Sequence, residues 1–200
     1  MGLLDIIAKV FSTTRSISDI QQTVKSVTQL TGTMGGGTKS VALPGLPTSL
    51  AELQSMPEAS LTDEYKVAAL AVAVLCNYEN DATETFQMMD FLRGPQPLNA
   101  VDKQFISDRL KGRDYIIKSY LKGATPDNNY TPDAPYAVEI SENSYSRQEK
   151  DYVKLFVQSS GADTPRPITL RQKASTGQWF VWEMSLLTDV RQPKASDPWA

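Results

Sequence analysis

Between Ser60 and Glu79 the chain reads SLTDEYKVAALAVAVLCNYE, and after Lys66 this stretch has almost no polar face. Its alanines, leucines and valines predict a helix. A helix that is apolar all round is buried in a core, so the other elements must wrap it. Two hundred residues are enough for one such core plus appendages. Cys76 continues the apolar run and is read as a buried structural thiol. The chain contains no histidine to activate it.

Other helices flank this one. Ser49 and Glu52 fit a capping box before a short helix ending near Met56. Residues 82–93 form a helix ended by Gly94-Pro95, and Asn99 caps another running through Leu110 to Gly112. After the polar loop GATPDNNYTPDAPY the period changes to two. Tyr136–Ile140, Tyr152–Gln158, Ile168–Lys173 and Gln178–Met184 read as strands, the last two joined by ASTGQ with Gly177 at the turn position needing positive φ. Helices followed by an antiparallel β-meander of about four strands define an α+β domain, expected over 49–200.

Two segments precede it. Leu3, Ile6, Val10, Ile17, Ile20, Val24 and Val27 fall at spacings of three and four, with Thr13 filling the one gap, so residues 1–31 read as an amphipathic helical arm. A protein contact or self-association is the reading preferred for it. A membrane-surface helix is the alternative, disfavoured by weak basicity and the lack of a Trp. Residues 32–48, with three consecutive glycines and two prolines, read as a linker.

Composition narrows function by exclusion. Without histidine there is no Ser-His-Asp or Cys-His catalysis and no usual zinc site. A net charge of −3 with scattered basic residues argues against nucleic acid. One cysteine forms no internal disulfide, and the opening residues lack the pattern of a secretory signal, so a cytoplasmic protein is expected. No cofactor motif is present, and none is expected. Gly35–Gly37 lacks the Lys-Ser/Thr of a phosphate loop.

The loop SSGADTPRPITLRQ, Ser159 to Gln172, is the first candidate site. Asp163 lies three residues before Arg166, so a bidentate pair within the loop is expected. The functional alternative has Arg166 and Arg171 presenting cationic forks to an acidic group. In TPDNNYTPD, Asn128 and Asn129 join Asp127 and Asp133 as oxygen donors, but the spacing departs from the calcium-binding loop, so no metal is expected. Trp179 and Trp182, three apart, face opposite sides of a strand. One fills the core and the other covers a pocket or sits under a helix. Trp199, in the proline-spaced tail ending DPWA, is expected to be buried, because its ring takes about 150–250 Å² out of water.

The strings FLRGPQPLNAVDKQF, GATPDNNY, SGADTPRPITLR and DPWA resemble a bacterial family of uncharacterised domains over roughly residues 60–200. That resemblance implies no activity. The order of elements leading into ITLRQKASTGQWFVWEM also resembles nuclear-transport-factor-2-like domains. It implies a sheet-lined pocket without the Asp-His chemistry common in enzymes of that fold. The expectation is therefore a non-enzymatic interaction module, its arm docking or self-associating. The alternative is an enzyme or small-ligand binder whose sheet-lined pocket uses Asp, Arg and Tyr. The site residues expected are Asp163, Arg166, Arg171, Asn128, Asn129 and Trp182.

Overall fold

The computed structural model describes residues 37–199. The arm expected over 1–31 lies outside them. Five strands, β1 (Lys39–Ala42), β2 (Ala137–Ser141), β3 (Tyr152–Val157), β4 (Arg166–Lys173) and β5 (Gln178–Met184), form one sheet in sequence order. Each is antiparallel to its neighbour. Between β1 and β2 come α1 (Leu50–Ser55), α2 (Glu64–Leu75), α3 (Ala82–Arg93), α4 (Ala100–Leu110) and the short α5 (Tyr115–Lys118). The fold is α+β, with helices leading into a meander.

The all-apolar stretch becomes α2. Asp63 caps it, its carboxylate accepting from the Tyr65 N–H at 2.9 Å. From Val67 to Leu75 every side chain is fully buried. Val153, Leu155, Ile168, Leu170 and Val181 on the inner face of the sheet are buried in the same core. Each such side chain contributes about 1.5–3 kcal/mol on leaving water. Alternating residues of β3 point outward, as the period of two requires. Among the described residues no helix is long and apolar enough to cross a membrane.

The helix ends follow local chemistry. Ser49 accepts from the Glu52 N–H, while the Glu52 carboxylate reaches the amide and hydroxyl of Thr48 rather than the Ser49 amide. Asn99 and Asp102 form a reciprocal capping box at α4. Gly94 ends α3 with φ +57°, and a side chain there would collide with the Phe180 ring. The α3–α4 corner therefore sits directly on β5.

Two sequence expectations change. Of the stretch read as linker, Lys39–Ala42 pairs along β2, from Lys39↔Ile140 to Ala42↔Ala137, and Leu43 is buried behind it. Backbone pairing and one deeply buried leucine outweigh the flexibility suggested by nearby Gly and Pro. Trp199 is not buried but 93% exposed. The tail docks earlier, where Val190 packs on the core and Arg191 donates its N–H to the Gly161 carbonyl at 2.9 Å. A short 3-10 turn at Lys194–Ser196 follows.

Candidate functional site

The inner face of the sheet is filled by α2, so the open geometry lies on the outer face. Cross-strand neighbours share a face, and here they form two rows. Tyr152, Arg171 and Phe180 make one, and Lys154, Thr169 and Glu183 the other. The register shifts between Thr169 and Leu170, which leaves Trp182 unpaired between Val181 and Glu183. This β-bulge re-aims the local side chains. Trp182 comes to lie edge-on to Tyr152, ring centroids 5.8 Å apart. The Arg171 guanidinium sits 4.8 Å from the Trp182 ring and 5.2 Å from that of Tyr152.

Two clefts open beside this cluster. The larger, about 660 Å³, lies between the outer-face residues Lys154, Thr169 and Trp182 and the α4 residues Asp102 and Phe105. The smaller, about 330 Å³, is lined by Asp151, Arg171, Lys173 and Phe180. Arg93, Gln96 and Trp182 border both. Phe105 is 47% exposed, and Val101, one turn before it on α4, is 77% exposed. Arg109 stacks over Phe105 at 5.4 Å. Arg93 is held at the rim by its bond to the Gln96 carbonyl at 2.9 Å.

Of the six residues singled out in the sequence, the structure brings two together, Arg171 and Trp182. The spacing of Trp179 and Trp182 plays out as read, with Trp179 in the core and Trp182 on the outer face. Asp163 and Arg166 do not pair with each other. Asp163 forms an ion pair with Arg191, and Arg166 donates to the backbone carbonyl of Asp189 at 3.3 Å. The loop is thus stitched to the 189–191 segment, because that segment packs against Gly161 and supplies the nearer partners. Asn128 is spent on its own turn: its oxygen accepts from the N–H groups of Thr125 and Thr131, and its amide donates to the carbonyls of Gly123 and Thr131. Asn129 is exposed and left-handed, with φ +54°. Asp127 pairs with Lys194.

Phe105, Arg93 and Lys154 were missed by sequence reasoning. The i, i+4 apolar pair Val101 and Phe105, set off the buried Ile106–Leu110 face of the helix, was the available signal. Cys76 is enclosed in the core, and burial pushes its thiol up to about 12. It therefore stays protonated and serves packing.

The family model described as "Domain of unknown function (DUF6935)" matches residues 45–194, and the chain belongs to that family. No curated protein and no solved structure matches it.

Proposed function

We propose that this domain is a non-enzymatic partner-binding module whose docking surface is the cleft between the outer sheet face and α4. One observation carries the reading. Trp182 and Phe105 border a single 660 Å³ cleft with their rings partly open to solvent, while the inner sheet face is packed with aliphatic side chains. Aromatic anchors in a recess are where binding energy concentrates at protein interfaces. The polar rim of Arg93, Gln96 and Lys154 suits an interface more than a closed substrate pocket. The single cysteine, buried and unable to pair within the chain, fits a cytoplasmic setting.

Selection from a displayed random-peptide library tests the reading. Enriched peptides are expected to bind the wild-type domain and to lose about 30-fold or more in affinity on Trp182→Ala, the loss typical of a hot spot. Equal binding by the Trp182→Ala, Phe105→Ala double variant would place the docking surface elsewhere.

The same proposal assigns self-association or docking to residues 1–31, on the strength of their apolar spacing in the sequence. Light scattering with and without those residues checks it. An unchanged mass removes the self-association part.

A further inference from the structure

We infer that the partner docked in this cleft presents an acidic peptide segment, one carboxylate of which is received by Arg171. The inference rests on the docking surface proposed above and names the chemistry of what fills it.

The argument begins with how Arg171 is held. Its guanidinium lies near two aromatic rings, Tyr152 and Trp182, on a strand paired on both sides. Packing beside a ring leaves the N–H donors of a guanidinium, which lie in its own plane, free to bond. Among the described residues Arg171 makes no ion pair and donates no side-chain hydrogen bond. Every other arginine there does at least one of the two. Arg171 is therefore an exposed fork with two aromatic neighbours and free donors. That arrangement suits bidentate capture of a planar carboxylate, which a guanidinium with unused donors matches in geometry.

Its surroundings carry the same sign. The smaller cleft is bordered by three cations, Arg93, Arg171 and Lys173, and by one carboxylate, Asp151. Lys154, on the next cross-strand row, borders the larger cleft, where Asp102 and Glu183 balance it and Arg93. Neither Lys154 nor Lys173 makes an ion pair with a described residue. The whole chain carries −3. On an acidic protein, the smaller cleft, with its three cations to one carboxylate, is therefore the cationic end of this face. Cation–aromatic packing alone would account for Arg171 but not for the lysines around it.

The clefts also fix the kind of acidic partner. Apolar walls at Phe105, Trp182 and Met184 adjoin the cationic end. A bare anion would use only that end. A segment with carboxylates beside apolar side chains uses both. Phosphate shares the oxyanion chemistry and serves as the control source.

Calorimetry on the full chain decides the matter with three probes: a peptide alternating Glu with Leu and Phe, the same peptide with Gln for Glu, and inorganic phosphate. The acidic peptide is expected to bind about tenfold tighter than its Gln counterpart at low salt, the gap closing as ionic strength rises. Arg171→Gln should abolish that gap, so that the two peptides bind the variant equally. Arg171→Lys should keep part of it, since charge remains but the planar fork is gone. Lys173→Gln, a change remote from the aromatic stack, should narrow the gap by a few-fold. Circular dichroism on each variant confirms that the fold is intact.

Equal binding of both peptides through Trp182 overturns the acidic inference and leaves the docking surface standing. Failure of both peptides overturns the two together. Arg171-dependent binding of phosphate with none of the acidic peptide also refutes the inference, marking an anion seat in place of a peptide site.

Discussion

The Tyr65 hydroxyl, at the start of α2, donates a hydrogen bond to the carboxylate of Glu142, just beyond β2. Arg147 completes the group, reaching Glu142 at 2.6 and 3.0 Å and Glu64 at 2.5 Å. Lys39 lies over the Tyr65 ring at 3.6 Å. The main helix, the edge strand and the β2–β3 loop thus meet at one charge network.

That network predicts a pH-dependent stability. The bonds from Arg147, and secondarily from Tyr65, hold the Glu142 carboxyl below its ordinary range. A folded value depressed below the unfolded one gives stability that is complete above the ordinary carboxylate value. It is lost as pH falls through the folded value. Glu142→Gln should cost about 1 kcal/mol near neutral pH, since the network is partly exposed and solvent-screened. The deficit should shrink toward zero in acid. Urea melts of both proteins from neutral pH to about pH 3 check this, and a deficit independent of pH would remove Glu142 as its source.

At Gly161 a side chain has no room. A Cβ would run into the Tyr130 hydroxyl and stand 2.8 Å from the Val190 Cβ. That hydroxyl already donates to the Arg191 carbonyl at 2.6 Å. Gly161→Ala should cost about 1–3 kcal/mol by overpacking. Gly45→Ala, where nothing lies within 4 Å of the added carbon, should stay within about 0.5 kcal/mol. Thermal melts of the pair separate the two, and equal melting temperatures would refute the close packing.

Leu43 tests where the folded domain starts. Its side chain is 2% exposed and its N–H donates to the Tyr136 carbonyl at 2.9 Å. Leu43→Ala should lose about 2–5 kcal/mol, as core leucines do. A linker residue would show no change in a denaturant melt.

For Trp199 the expectation is the reverse. At 93% exposure, Trp199→Ala should leave stability within about 0.5 kcal/mol and the melting temperature within a degree or two. A larger drop would mean the ring has a packing partner.

Sequence periodicity carried most of the architecture because the long signals were strong. α2 announces itself by composition, and β3, β4 and β5 by alternation over six to eight residues. β1 was lost because Lys39–Ala42 is too short to show alternation and stands among glycines and prolines. Trp182 was legible from its spacing to Trp179, whereas the bulge that also turns Glu183 outward depends on pairing with β4. The cation nearest Asp163 in sequence is Arg166. The partner of Asp163 is Arg191, 28 residues away, and no local rule reveals a contact across that distance. The large cleft was hidden for the same reason, since α4 and β5 meet only in three dimensions.

The edge strand has a consequence for where the domain is cut. The family match begins at residue 45, while β1 and Leu43 precede it. A fragment trimmed to the match would strip the covering strand from β2. Lys39–Ala42 lies along Ala137–Ile140, so the trimmed fragment would offer that row of β2 backbone groups to any passing strand. The short KSVA segment thus acts as a seam guard for β2: it contributes little side-chain burial of its own, yet it pairs that row within the chain and leaves only a four-residue strand at the edge.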